Sequence, residues 1–171
     1  MTPLKADIAQ QSAFQSVEEE ALLNLLRTAD TLEREVQHKI KPWGITATQY
    51  NVLRILRGAR PEALTCTDIG DRMIAAEPDI TRLLSRLTAL KLIRQHRDRH
   101  DRRVVRTEIS DQGLKLLSEM DPMVERAPIE LLCHLSRAEL AEFIRLLERA
   151  RKSDESGEAP LECERKESTG E

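Results

Sequence analysis

The stretch PDITRLLSRLTALKLIRQHRDRHDRRVVRTEIS, residues 78–110, decides the fold. Its first part has helical spacing: Ile80, Leu83, Leu84, Leu87 and Leu90 recur at intervals of three and four. Pro78 is expected at the first helical position, where its missing N–H costs nothing. The spacing therefore predicts a helix over 78–91. The second part changes period. Val105, Thr107 and Ile109 alternate with charged neighbours, and a polar turn at 98–103 separates them from the run 92–97. This pattern predicts a two-stranded hairpin. The turn carries no Gly, so it is expected to project rather than fold tightly.

Successive helical residues lie about 100° apart. On that wheel Ile80, Leu83, Leu84 and Leu87 form one stripe, which must face a core. Pro78, Arg82, Ser85 and Ala89 fall opposite. Asp79 and Arg86 share one flank, and Thr81 lies on the other. The free face thus combines small residues with long cations, and a major groove about 12 Å wide admits such a helix. Arg82 can donate to phosphate or to guanine O6 and N7. Thr81 and Ser85 can reach phosphates or base edges. Asp79 can accept from cytosine N4, or pair with Arg82 or Arg86. The turn adds Arg99, Arg102 and Arg103, and an arginine on a thin projection suits the narrow, electronegative minor groove. Asp101 is expected to pair with Arg103 and fix its direction.

Working outward, Thr46 and Gln49 form a capping box before Val52, Leu53 and Leu56, with Gly58 read as the stop. Thr65 caps a short helix bearing Ile69 and Met73. Ser16 and Glu19 open a helix whose apolar residues run from Ala21 to Ile40, roughly seven turns at 3.6 residues per turn. That stripe outruns a small domain's own core, so part of it is expected to meet a second chain. Pro42 is read as forcing Lys41 out of helical geometry and ending this helix. Ser110 caps a further helix through Leu114, Leu117 and Met120, which Pro122 and Pro128 are expected to interrupt or kink. Ser136 and Glu139 box the last helix, striped by Leu140, Phe143, Ile144 and Leu147. A short turned helix pair followed by a hairpin is the order of a winged helix-turn-helix.

The 171 residues suit one domain with an appended element. Apolar residues make up 40%, enough for a core. The net charge of −3 argues against a nucleic-acid partner, but it averages unlike segments. Residues 1–45 carry −2, 46–110 carry +5, 111–152 carry −1 and 153–171 carry −5. Between 78 and 106, nine Lys and Arg face Asp79, Asp98 and Asp101. This is the charge footprint of a phosphate-binding surface. The last segment, rich in Glu, Ser, Gly and Pro, reads as a disordered acidic tail. Aromatics are 2%, which excludes base-stacking platforms for single strands.

Several other classes are set aside. There is no Gly-rich phosphate loop, GxSxG or HExxH, so no enzyme and no cofactor is expected. His96 and His100, with Asp98 and Asp101, have metal-like spacing but lie across a strand end and a turn, so no metal is expected. His38 and His134 read as surface or interface residues. Cys66, Cys133 and Cys163 give no zinc or disulfide framework. Cys66 and Cys133 read as buried and inert, with a redox sensor as the alternative. No apolar run reaches a membrane span. The opening MTPLKADIAQ has no signal-peptide core, so a cytoplasmic protein without membrane contact is expected.

Residues 44–120 resemble the DNA-binding region of the MarR family of bacterial transcription regulators. The resemblance rests on residues 44–53, on Leu64-Thr65, on 80–87 and on 90–94. Asp101-Arg102-Arg103-Val104-Val105 and Ile109-Ser110-Asp111-Gln112-Gly113 complete it, the arginine wing before the Ser-x-x-Gly helix start being its most specific part. It implies a mainly α fold with a small β-hairpin wing. Residues 46–110 would be the winged helix-turn-helix. Residues 1–45 and 111–152 would be dimerisation helices, and 153–171 a tail. It implies a homodimer on a palindromic operator in double-stranded DNA, a repressor released by a small aromatic or phenolic effector. Pro78, Thr81 and Arg82 match groove-facing positions, and Arg103 matches the minor-groove arginine. Lys91 departs from the family's usual glycine and would have to adopt left-handed geometry or end the helix differently. Trp43, Tyr50 and Met120 are candidate effector neighbours. A dimeric interaction adaptor without DNA binding is the alternative reading.

Overall fold

The computed structural model describes residues 3–152; the acidic segment 153–171, with Cys163, lies outside them. In order come α1 (Leu4–Asp7), α2 (Val17–Ile40), a 3-10 turn (Lys41–Trp43), α3 (Ala47–Ala59), α4 (Cys66–Asp71), α5 (Ile80–Ala89), β1 (Ile93–Arg97), β2 (Val105–Ile109), α6 (Asp111–Leu132) and α7 (Arg137–Arg151). The fold is mainly helical with one hairpin, as the sequence predicts. The chain divides into two compact units, Met1–Leu131 and Leu132–Glu171. Among the described residues no helix is long and apolar enough to cross a membrane.

Helix starts follow the caps. Thr46 with Gln49, Thr65 with Asp68 and Ser136 with Glu139 each form a complete capping box. These boxes satisfy N–H groups that a helix start leaves orphaned. Hydrogen bonds from Thr65 hold the Asp68 carboxyl below its ordinary pKa. At α2 only half the box forms: the Ser16 hydroxyl accepts the Glu19 N–H, while the Glu19 carboxylate takes the N–H of Gln15 instead.

Helix ends depart from expectation in three places. Lys41 keeps helical angles (φ −47°, ψ −39°) despite Pro42. The chain tightens into the 3-10 turn, where Pro42 lies in the first turn and lacks no needed donor. Gly44, at φ +72°, is what turns the chain away. Gly58 does not stop α3, which runs on to Ala59. Pro61 stops it, by holding Arg60 extended at ψ 140°. α6 is continuous through Pro122 and Pro128, so neither proline interrupts it. Each removes one main-chain bond while the flanking turns persist.

The core of the first unit gathers Ile40, Val52, Leu53, Leu56, Ile69, Leu84, Leu87, Leu117 and Met120, each no more than 2% exposed. Only the C-terminal end of the α2 stripe joins it, through Val36 and Ile40. Val17, Leu22, Leu25 and Leu26 nearer its start remain exposed. In the second unit no residue of α7 is buried.

Candidate nucleic-acid interface

Helix α5 is shorter than the sequence predicts, beginning at Ile80 rather than Pro78. Pro78 lies in the turn before it. Asp79 is the N-cap, its carboxylate accepting the Arg82 N–H at 3.0 Å. Among the described residues Asp79 forms no ion pair with Arg82 or Arg86; its Oδ1 caps α5 instead, satisfying a donor that the helix start leaves orphaned. Leu83, Leu84 and Leu87 are buried, and Ile80 packs at the core edge. Pro78, Thr81, Arg82, Ser85, Arg86 and Ala89 are all exposed, as the wheel requires. The Ser85 hydroxyl donates to the Thr81 carbonyl, leaving its oxygen free to accept. The turn into α5 is anchored from α3, where Asn51, 6% exposed, accepts the Ile74 N–H at 3.0 Å.

The C-terminus of α5 sets where the hairpin starts. The Leu92 N–H reaches the Leu87 carbonyl and the Lys91 N–H the Thr88 carbonyl. This is a Schellman closure, and it places Lys91 at φ +60°. Ser110 then joins three segments. Its hydroxyl donates to the Lys91 carbonyl at 2.7 Å and accepts the Gly113 N–H at 3.0 Å. A Cβ on Gly113 would lie 2.3 Å from the Leu92 carbonyl oxygen, so only glycine lets α6 approach the hairpin this closely.

The hairpin pairs Ile93 with Ile109 and Arg97 with Val105, antiparallel. A bridge from Leu64 to Thr107 ties it to the segment before α4. Polar contacts join it to α5: the Thr88 hydroxyl, which donates to the Leu84 carbonyl at 3.0 Å, lies 3.4 Å from Gln95 Oε1, and Gln95 Nε2 donates to the Thr107 hydroxyl.

The turn 98–103 is more ordered than its composition suggests. Asp98 accepts the N–H of His100 and of Asp101 and the Nε of Arg106. These donors hold the Asp98 carboxyl down at about 2. Asp101 accepts the backbone N–H of Arg103 at 2.9 Å. Among the described residues it forms no ion pair with the Arg103 guanidinium, so the expected side-chain pairing is corrected to a backbone one. Asp98, Arg106, Gln95 and Thr88 are the organising residues that the sequence reading passed over. The signal for Asp98 is its place as the first residue of the turn 98–103, where a short carboxylate caps the next backbone donors.

Charge sorts the basic residues into two sets. Arg94 pairs with Asp111, Arg106 with Asp98, and Arg57 with Asp121. Among the described residues Arg82, Arg86, Arg99, Arg102 and Arg103 form no ion pair, and all five are exposed. Three sit in the wing and two on the free face of α5. Among the described residues no group of three His, Cys, Asp or Glu is placed to hold a metal ion. Cys66 is half-buried and Cys133 exposed, so neither is the buried cysteine expected. Trp43 lines a cavity of about 430 Å³ with Ile45, Leu90, Leu92, Lys115 and Leu116. Met120 is fully buried in the core and Tyr50 packs against it, and neither lines that cavity.

Comparison with known proteins bears on this geometry. A model of the MarR family matches residues 43–104. A MarR transcription factor from Planctomyces limnophilus is 39% identical, covering 80% of this chain and 99% of its own, with a TM-score of 0.62. The chain belongs to the MarR family. As a MarR-family protein it is a DNA-binding transcription regulator and not an enzyme. Bordetella bronchiseptica BpsR, whose DNA binding is regulated by 6-hydroxynicotinic acid, is 26% identical over 78% of this MarR-family chain and 100% of its own, with a TM-score of 0.70. A mutant of MarR from E. coli, solved with operator DNA, shares the fold at 20% identity, covering 88% and 100% of the two chains with a TM-score of 0.69.

Proposed function

We propose that this MarR-family chain is a repressor that binds a palindromic operator as a homodimer and is released by a small aromatic or phenolic effector. The observation that carries the DNA reading is the set of five exposed arginines on α5 and the wing turn that form no ion pair among the described residues. In this reading α5 enters the major groove, with Pro78, Thr81, Arg82, Ser85 and Arg86 facing it and Asp79 capping the helix. The wing reaches the adjacent minor groove through Arg99, Arg102 and Arg103, with Asp101 bracing the backbone of Arg103. Residues 46–110 supply this surface, and 1–45 and 111–152 supply the dimer contacts. Support for the dimer comes from the exposed Leu22, Leu25 and Leu26 of α2, too apolar for water along one stripe. Support for an effector comes from the cavity beside Trp43, within the size range of small-ligand sites, and from the regulation of BpsR by an aromatic acid.

The test is binding to a duplex that the protein itself selects from a random-sequence pool, read by fluorescence anisotropy. Arg82→Ala is expected to weaken binding by about 1–3 kcal/mol per half-site if the arginine reads guanine, with the oligomeric state unchanged. Sedimentation should give twice the chain mass at micromolar concentration. Parent-like binding by Arg82→Ala would remove α5 from the interface, and a single-chain mass would remove the dimer.

A further inference from the structure

One carboxylate gathers more of the wing's hydrogen bonds than any other side chain. Asp98 Oδ1 accepts the His100 N–H at 2.8 Å and the Asp101 N–H at 3.3 Å, and Oδ2 accepts Arg106 Nε at 2.9 Å. The Asp98 side chain is 19% exposed, the least of any carboxylate in the ion pairs of the described residues. Its own N–H closes the loop on the Val104 carbonyl at 2.9 Å. Arg106 reaches further, donating to the Ala63 carbonyl at 3.4 Å. A continuous line therefore runs from the segment before α4, through Arg106 and Asp98, to the backbone that bears Arg99, Arg102 and Arg103. We infer that Asp98, clamped by Arg106, is the positioning residue that presents the wing arginines to DNA, while touching no DNA itself. This inference rests on the reading of the wing as a DNA contact.

The sign of the effect separates positioning from bulk charge. Removing an anion from a basic surface should strengthen attraction to phosphate. Removing a positioning anion should weaken binding, because three arginines lose their fixed geometry and the entropy of ordering them falls on the binding step. Asp111 provides the contrast. It pairs with Arg94 but is 89% exposed and braces no loop, so Asp111→Asn is expected to leave binding unchanged or tighter.

Affinity for the selected duplex would be measured for Asp98→Ala, Arg103→Ala, their double variant, Arg106→Lys and Asp111→Asn, with thermal midpoints alongside. Asp98→Ala is expected to weaken binding by about tenfold, as loss of one arginine contact does. The double variant is expected to lose less affinity than the product of the two single losses, since Asp98 acts in part through Arg103 and coupled residues are not additive. Arg106→Lys keeps the charge but loses the fixed Nε donor. It is expected to reproduce the loss, and it carries the test if Asp98→Ala does not fold. Equal or tighter binding by Asp98→Ala, fully additive losses, or parent-like binding by Arg106→Lys would each overturn the inference. Parent-like binding by Arg103→Ala would instead overturn the wing reading, and the inference with it.

Discussion

Lys91 holds a position that normally falls to glycine. At φ +60° its Cβ crowds the carbonyl that follows it, a cost of roughly 1–2 kcal/mol for an L-residue. Lys91→Gly is therefore expected to raise stability by about 0.5–1 kcal/mol, after allowing for glycine's greater unfolded-state entropy. The shift would be read in the urea midpoint. Gly113 is the opposite case: Gly113→Ala drives a Cβ against main chain and is expected to cost at least about 1–3 kcal/mol by the same measurement. The Asp98 carboxyl, held at about 2, lies below the ordinary Asp value of 3.8. Its stabilising effect is complete above that ordinary value and drains away as pH falls through 2. A carbon-13 titration of the Asp98 carboxyl should show a midpoint near 2 rather than near 4. At this scale the sequence was only partly legible. Lys91 stood out because glycine has a distinct conformational range. Asp101 was assigned the wrong partner on Arg103, because a two-residue spacing does not separate a backbone donor from a side-chain one.

Among the elements, helix starts marked by a capping box were readable, while the start of α5 and the ends of α2 and α3 were not. A capping box is a local exchange of two hydrogen bonds, so four residues suffice to specify it. A helix end weighs residue preference against packing. Gly58 is helix-compatible because the buried run Val52, Leu53 and Leu56 pays no regard to its small entropic cost. Pro61 removes the choice by fixing the backbone before it. Helix α6 shows the same balance, since Leu117, Met120 and Ala127 are buried along one side and hold it together across two prolines. Pro122 is exposed within that helix, and Pro122→Ala restores a missing donor. It is expected to raise the thermal midpoint, by up to about 3 kcal/mol in stability. The free face of α5 was legible in full because its period separates buried leucines from exposed arginines.

Over the whole molecule, net charge misled until it was divided along the chain. The five exposed arginines of α5 and the wing turn, none of them ion-paired among the described residues, lie between 82 and 103, while the surplus of acid lies in 153–171. In the proposed dimer, two copies each placing three to five cations on phosphate give the range in which affinity falls about 10³–10⁵-fold between 50 and 200 mM salt. Anisotropy across that salt range checks it, and a flat profile would remove phosphate contact as the main attraction. The pattern of cations was visible in the sequence, but which of them were already neutralised was not. Arg94 and Arg106 look like Arg82 in the linear chain, and only folding brings Asp111 and Asp98 to them.

The separation of faces on α5 has a further consequence. Leu83, Leu84 and Leu87 serve the core, while Thr81, Arg82, Ser85 and Arg86 touch solvent. No residue serves both. In the proposed interface, recognition would drift by substitution at four positions while the fold stays the same, and a library varied only at those positions should yield stable proteins with altered DNA preference.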